Sequence, residues 1–296
     1  MVPPAGGPCP TAAARTAFEV IGCGDIGGLE WYEFDGTAFT HDQATWRGLG
    51  KAVNRNNMRH RQRFGMNIGM LHDEGQHDRT AGREFLRRVS PFVSGGNLSL
   101  AADAIGQCWC CGQLCGFLRD SDSQVRCAAA MALALVGDKQ SIEPLATALH
   151  DSDVRVNELA DHALWAIWFR GGNSRSCCYL KCGTHHLKHG NMDTAIEKFS
   201  LAIEADPDFS EAYNQRAIGH YLAERYIESI ADCRRALARM PPHFGAMAGM
   251  GHCHAHLGNL PEAQSCYMQA LKINPRMEGV AAALARIQQI MEKPAA

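Results

Sequence analysis

The chain has 296 residues, a formal net charge of −2 at pH 7, a 46% share of hydrophobic residues and 7% aromatic residues. This length allows two domains or one elongated array. The near-neutral charge argues against a general nucleic-acid binder, and the lack of any run of about 18 apolar residues argues against a membrane span. The N-terminal residues lack the apolar core of a secretory signal, so the 13 cysteines indicate a reducing, cytoplasmic setting and no disulfide framework.

Residues 1–86 are predicted to be a poorly defined N-terminal region, partly flexible. A helix is expected at about 43–64, and it carries a basic stripe of residues spaced four apart: Arg47, Lys51, Arg55, Arg59 and Arg63. Positions four apart are neighbours on a helix. The stripe predicts either a solvated helix face, which we favour, or a contact for an acidic partner.

Two histidines follow in the segment His72-Asp73-Glu74 to His77-Asp78, a composition that resembles metal chemistry. Zinc peptidases need two histidines on one helical face with a glutamate between them. Residues five apart on a helix are separated by about 140°. We therefore expect a polar surface loop here, with no metal ligand.

Residues 87–172 contain a repeat with a period of 31 residues. The segment LRDSDSQVR at 118–126 aligns with LHDSDVRVN at 149–157, and a degenerate copy precedes both. Aspartate and serine before the V-R pair favour a helix start, because they accept hydrogen bonds from free N–H groups. The pattern resembles the short HEAT-type repeats of bacterial proteins, including those of phycobilin lyases, and implies stacked helix pairs.

A dense group of thiols lies within the degenerate copy. It comprises Cys108, Cys110, Cys111 and Cys115. Structural zinc sites usually contain two C-x2-C pairs at some distance, and this group has no such pair. We favour helix packing over a redox or metal role.

The end of the last 31-residue copy is aromatic. Trp165, Trp168 and Phe169 precede Gly171-Gly172. We expect the aromatic residues to pack where two arrays meet, with an aromatic ligand platform as the alternative, and the glycines to form the turn between the arrays.

Residues 173–296 contain three prolines 34 residues apart, Pro207, Pro241 and Pro275. Small residues recur in fixed slots before each proline: Gly183, Ala217 and Gly251 on a first helix, then Ala202, Ala236 and Ala270 on a second. A 34-residue period of this layout is a helix–turn–helix repeat. Small residues let the two helices cross closely, and bulky ones fill the remaining gaps.

The segment 278–292 repeats none of these slots, so we expect a terminal capping helix. Residues 176–292 resemble the tetratricopeptide repeat family. With the HEAT-like copies, the resemblance implies an all-α superhelix, or solenoid, of HEAT-like helix pairs followed by three tetratricopeptide repeats and a cap.

In that family the first helices line a concave groove that holds a ligand. By slot, the groove residues here would be Leu180, Thr184, Leu187, Asn214, Ile218, Tyr221 and His252. Chaperone-binding members grip an acidic peptide with a lysine, asparagine and arginine clamp. The clamp slots here hold Leu180, Thr184, Gln215, Gly245 and Gly249, so no clamp is expected. The neutral, partly apolar groove suits an extended or helical peptide.

These features predict a non-enzymatic, cytoplasmic scaffold that binds a peptide or a partner's surface in the concave groove. No catalytic order, P-loop or dinucleotide fingerprint is visible, so no catalytic residue, cofactor or metal is expected. One alternative is an enzyme accessory or lyase-like protein that holds a substrate protein with the HEAT-like repeats and uses the Cys108–Cys115 group. Another is a regulatory protein whose basic stripe contacts nucleic acid.

Overall fold

The computed structural model describes residues 80–89 and 98–292. Within these ranges every regular element is a helix and no strand occurs, which confirms the all-α class. The first group is α1 (80–89), α2 (Leu98–Cys108), α3 (Cys111–Phe117), α4 (Ser123–Val136), α5 (Ile142–Ala148) and α6 (Val154–Phe169). The second is α7 (Ser174–Lys188), α8 (Met192–Ala205), α9 (Ser210–Leu222), α10 (Tyr226–Arg239), α11 (Phe244–His256), α12 (Leu260–Ile273) and α13 (Glu278–Glu292).

Two of the predicted features lie outside the described residues. They are the histidine segment at 72–78 and the basic stripe of Arg47, Lys51, Arg55, Arg59 and Arg63. The contact between that stripe and an acidic partner therefore stays a prediction. Among the described helices, none combines the length and the apolar character that crossing a membrane requires.

The aspartates of the 31-residue repeat start helices as the sequence predicts. Asp122 precedes α4, and its carboxylate accepts a hydrogen bond of 2.9 Å from the backbone N–H of Gln124. Asp153 does the same for α6 through the N–H of Arg155, at 3.0 Å. Each bond satisfies an N–H group that has no partner inside its helix.

A polar link joins the two clear copies of this repeat. The guanidinium of Arg126 donates to both carboxylate oxygens of Asp151, at 2.7 and 2.8 Å. The position 31 residues after Arg126 holds Asn157, which instead donates to the carbonyls of Ala148, Leu149 and Asp151. In the last copy Asn157 thus bonds the loop that precedes its own helix, because no further copy of this repeat follows with an aspartate that could pair with an arginine.

Helix α1 belongs to the same core. Phe85 and Val89 are buried, and Phe85 stacks on Phe117 with ring centroids 4.5 Å apart. The predicted domain boundary between 86 and 87 falls inside this helix. The domain limits themselves (1–86, 87–172 and 173–296) stay predictions.

In the second group α7 packs on α8, α9 on α10, and α11 on α12. The small-residue slots explain how closely they approach. A Cβ atom added at Gly251 would lie 2.6 Å from Cε1 of Tyr267, and one at Gly183 would meet the ring of Phe199. Ala202, Ala236 and Ala270 are fully buried on the second helices. The reason given above for the small slots is confirmed.

Helix α13 packs against α12 and covers the end of the array. Val280 and Ile287 are buried, and Leu284 packs against the same cluster. Met291, in the last turn of α13, is 45% exposed.

Candidate functional site

The residues predicted to line the groove lie on the first helices of the three pairs, α7, α9 and α11. They divide into two sets by exposure. Leu180, Leu187 and Asn214 are buried. Thr184, Ile218, Tyr221 and His252 are half-buried and keep contact with solvent. Leu180 and Asn214 occupy equivalent slots one turn before Thr184 and Ile218, towards the N-terminal ends of their helices, whereas Leu187 is buried near the C-terminal end of α7.

Helix α6 of the HEAT-like array covers the N-terminal end of the groove. Trp168 stacks on His243, immediately before α11, with ring centroids 4.0 Å apart and an interplanar angle of 14°. Trp165 meets the ring of Phe244 edge-on at 5.7 Å. A Cβ atom added at Gly245 would lie 2.6 Å from Cη2 of Trp165, so glycine is required for this approach. The expected packing of these tryptophans between the arrays is confirmed.

A further contact places the middle of α6 near the end of the third pair. Asn274, which follows α12, donates from its side-chain amide to the carboxylate of Asp161 at 2.9 Å. At the C-terminal end of α6, Phe169 packs beside the cluster that contains Leu180 and Phe209. Helix α6 therefore crosses one end of the groove from the third pair back towards the first.

A buried polar network lies beneath α6. The carboxylate of Glu211 accepts hydrogen bonds from Gln215 Nε2 at 2.7 Å, Asn214 Nδ2 at 3.2 Å and His243 Nε2 at 2.8 Å. His243 Nδ1 accepts from the backbone N–H of Ala246 at 3.2 Å, so the ring proton is on Nε2. Glu211 and His243 are both fully buried, and a buried carboxylate needs this many donors to offset its lost hydration.

This network links α9 to α11 and explains why Asn214 faces inward. Its amide is committed to Glu211. Two of the slots in which the family places its clamp are also covered. Gln215 belongs to this network, and Gly245 lies beneath Trp165. The covered part of the groove therefore offers no side chain for an anionic peptide.

We call the solvent-contacting members of the predicted groove set, Thr184, Ile218, Tyr221 and His252, the open groove. Its far end is built from hydrogen-bonded aromatic and imidazole rings. Tyr221 Oη and His256 Nε2 are 2.8 Å apart, and Tyr267 Oη lies 2.7 Å from His252 Nδ1. The open groove is thus shaped mainly by ring faces and aliphatic carbons.

The histidines of this region are neutral at physiological pH. Burial lowers the pKa of His252 to about 4, with a smaller effect from neighbouring His256. Burial also lowers the pKa of His256 below its ordinary value. Both shifts arise because a desolvated ring favours its uncharged form. The open groove therefore contains no cationic side chain among its four residues.

The thiol group of the first array is divided between surface and interior. Cys108 and Cys110 are exposed, whereas Cys111 and Cys115 are partly covered on α3. Burial raises the pKa of the Cys111 and Cys115 thiols, which keeps both protonated. Across residues 80–89 and 98–292, no three or more histidine, cysteine, aspartate or glutamate side chains are grouped so as to hold one metal ion.

Sequence reasoning did not single out His243 and Glu211, although a signal for each exists. The slot just before α9, α11 and α13 holds Phe209, His243 and Met277 at the 34-residue period, so among these three an imidazole replaces an apolar residue once. A polar residue in an apolar slot indicates a buried partner. That partner, Glu211, lies on the preceding first helix, in a slot that holds Cys177 and Gly245 in the other repeats, so its charge was a second signal.

Comparisons with known proteins agree with both repeat types. Residues 113–181 match the family of HEAT repeats, and residues 220–287 match the tetratricopeptide repeat family. Human Tetratricopeptide repeat protein 12 is 30% identical over 96 residues, which is 32% of this chain and 14% of that protein. A TPR repeat-containing protein of Rhizobium etli is 25% identical over 108 residues, which is 36% of this chain and 53% of that protein. The matches thus cover about half or less of each relative.

Among solved structures, "First TPR of Spaghetti (RPAP3) bound to HSP90 peptide SRMEEVD" is similar with a TM-score of 0.40 and 23% identity. That likeness covers 40% of this chain and 94% of the other. The two family matches, together with the helix pairs and their small-residue slots, show that the chain carries HEAT repeats and tetratricopeptide repeats in one α-solenoid.

Proposed function

We propose that this chain is a non-enzymatic scaffold that binds a peptide, or an extended segment of a partner protein, in the open groove. The observation that carries the proposal is the division of the groove. Its N-terminal end is filled by α6 of the same chain, while Thr184, Ile218, Tyr221 and His252 remain in contact with solvent. An array whose first helices keep one concave strip open has a surface of the kind that receives a peptide.

The chemistry of the strip defines the peptide class. Its rings and aliphatic carbons favour apolar or aromatic side chains, and its neutral imidazoles add hydrogen-bonding groups without charge. An acidic peptide would lose hydration of its carboxylates without gaining a cation from the four groove residues. We therefore expect a neutral peptide with apolar or aromatic anchors, bound with little dependence on salt.

A selection from a random peptide library displayed on phage, with the full chain as target, tests this proposal. Selected peptides are then synthesised, and their Kd values are measured by fluorescence anisotropy. Thr184→Arg fills the strip, and Tyr221→Ala removes a ring from its wall. We expect each to weaken binding at least about tenfold, or 1.4 kcal/mol. The matched control is Ile227→Arg on α10, where Ile227 is 65% exposed.

The proposal predicts that selected peptides are uncharged and that Ile227→Arg binds them like the wild type. The acidic peptide SRMEEVD, present in the RPAP3 structure named above, should bind weakly or not at all. Equal affinity of the wild type, Thr184→Arg and Tyr221→Ala for the selected peptides would show that binding lies elsewhere. Strong binding of SRMEEVD would contradict the assigned chemistry.

A further inference from the structure

One face of α7 is open where the corresponding faces of α9 and α11 are covered. In those later helices this face packs on the second helix of the preceding pair. A Cβ atom added at Gly219 would lie 2.9 Å from Ile196 of α8, and Cys253 Sγ is 3.1 Å from Ser229 Oγ of α10. The residue of α7 in the same slot is His185, 34 positions before Gly219, and it is exposed. No described helix occupies the place beside it.

The open face presents four metal-ligating side chains; in two of their slots the later repeats hold small residues, Ala212 and Ala246 for Cys178, and Gly219 and Cys253 for His185. We call Cys178, Cys182, His185 and His189 the Cys/His stripe; all four are exposed. Their successive spacings of 4, 3 and 4 residues keep them within about 60° of the helix circumference. Thiolate and imidazole are the ligands that Zn²⁺ prefers in structural sites.

One ring nitrogen of His189 is engaged within the chain, and the other is available to a metal. It follows α7, and its Nδ1 lies 2.8 Å from the backbone carbonyl oxygen of His185. A carbonyl only accepts, so the ring proton is on Nδ1 and the lone pair of Nε2 is available. This is the second contact that metal-bound histidines usually make, because it fixes the tautomer and the ring plane. The His185 and His189 rings lie 4.4 Å apart between centroids.

We propose that the Cys/His stripe binds Zn²⁺ between two copies of this chain. Each copy supplies two bidentate half-sites one helical turn long, Cys178 with Cys182 and His185 with His189, and no described residue completes either of them. When two α7 helices pair antiparallel about a two-fold axis, the cysteine half-site of one meets the histidine half-site of the other. The result is two Cys₂His₂ sites about 10 Å apart, since their centres differ by seven residues at about 1.5 Å each.

The charge balance of each site is complete. Two thiols release their protons to solvent, and the two resulting thiolates with two neutral imidazoles neutralise one Zn²⁺. A 4-3-4 spacing is also the contact pattern of paired helices, and an antiparallel pair has the two-fold symmetry of most homodimers. Because the four ligands of each site come from two copies of the chain, association should depend on Zn²⁺.

The test uses the full chain in a reducing buffer without thiols, with ZnCl₂ as the only addition. Light scattering coupled to size exclusion should show the mass doubling at one Zn²⁺ per chain, and EDTA should restore the monomer. Co²⁺ in place of Zn²⁺ should give the absorption of a tetrahedral site with thiolate ligands. Cys178→Ser with Cys182→Ser should abolish both results. Cys108→Ser with Cys110→Ser, at exposed thiols outside the stripe, should change neither.

Three results would overturn the proposal. Zn²⁺ bound without mass doubling would show that the stripe is completed within one chain, by residues outside the described ranges. A dimer that forms only when the reductant is left out, and that resists EDTA, would be a disulfide. A Zn²⁺-dependent dimer that survives the Cys178→Ser and Cys182→Ser changes would lie elsewhere on the surface. Because the stripe is separate from the open groove, peptide binding by either variant is measured independently.

Discussion

Two glycines of α11 should respond in opposite ways to the same substitution. At Gly251 an added methyl group would lie 2.6 and 2.7 Å from ring carbons of Tyr267, whose side chain is 1% exposed and cannot move aside freely. At Gly249 the nearest atom to the added methyl group is Cys233 Sγ at 3.7 Å, an ordinary contact. The pair separates the effect of close packing from the intrinsic effect of glycine in a helix.

The magnitudes follow from these distances. Replacing glycine by alanine inside a helix stabilises a protein by about 0.5–1 kcal/mol, and this term applies at both sites. Overpacking a well-filled core costs about 1–3 kcal/mol, and this term applies at Gly251 alone. We expect Gly249→Ala to be more stable than the wild type, and Gly251→Ala to be less stable than Gly249→Ala by about 1–3 kcal/mol.

Thermal unfolding followed by circular dichroism measures this difference. For an array of this size 1 kcal/mol corresponds to about 2–4 °C, so the two variants should differ by about 2–12 °C in Tm. Tyr267→Leu provides a check, because a smaller side chain should reduce the penalty of Gly251→Ala in the double variant. If Gly251→Ala melts at or above Gly249→Ala, the close-approach explanation of this repeat slot is wrong.

Three further changes test other contacts. Gly245→Ala should displace Trp165, lowering the free energy of unfolding by about 1–3 kcal/mol and altering tryptophan fluorescence, and an unchanged spectrum would contradict the contact. Arg126→Ala should lower the free energy of unfolding, measured in urea, by about 2–3 kcal/mol, which is less than the loss expected for a fully buried ion pair because Arg126 and Asp151 are partly exposed. Since Arg126 lowers the pKa of Asp151, that stabilisation is present above about pH 4 and lost as pH falls through the folded pKa, so the variant should show a weaker acid dependence. His252 has a folded pKa of about 4 against about 6.5 unfolded, so stability should fall from pH 6.5 to 4, and a His252→Gln variant that retained the full slope would refute this.

Most of the fold could be predicted from the two repeat periods, because local packing requires particular residue types at fixed positions of each repeat. The glycine at 251 must be small for Tyr267 to pass, and the aspartate at 153 must cap α6, so each leaves a residue type at a fixed position. The position of α6 leaves no such trace. Its contact between Asp161 and Asn274 joins residues 113 apart and occurs once, so no periodicity could reveal it.

Because the contacts of α6 are not periodic, the exposure of the groove residues could be predicted only in part from their positions in the repeats. The slot pattern places Leu180 and Asn214 on the first helices, but it cannot tell that α6 and the Glu211 network lie against that end. Nor can it tell that Leu187 is buried near the other end of α7, whereas Tyr221 in the same slot of α9 contacts solvent. Which of these residues contacts a partner stays a prediction.

The covering of the groove by α6 also sets how many repeats the array can hold. Solenoids commonly change length by gaining or losing whole repeats, since each unit contacts only its neighbours. Here Trp168 must meet His243 while Phe169, one residue later, packs beside Leu180 and Phe209. A 34-residue unit inserted between the second and third pairs would carry His243 out of reach. Helix α6 thus fixes the number of helix pairs between α7 and α11. In the second array, repeats can be added or lost only beyond α12 without breaking the contact between Trp168 and His243.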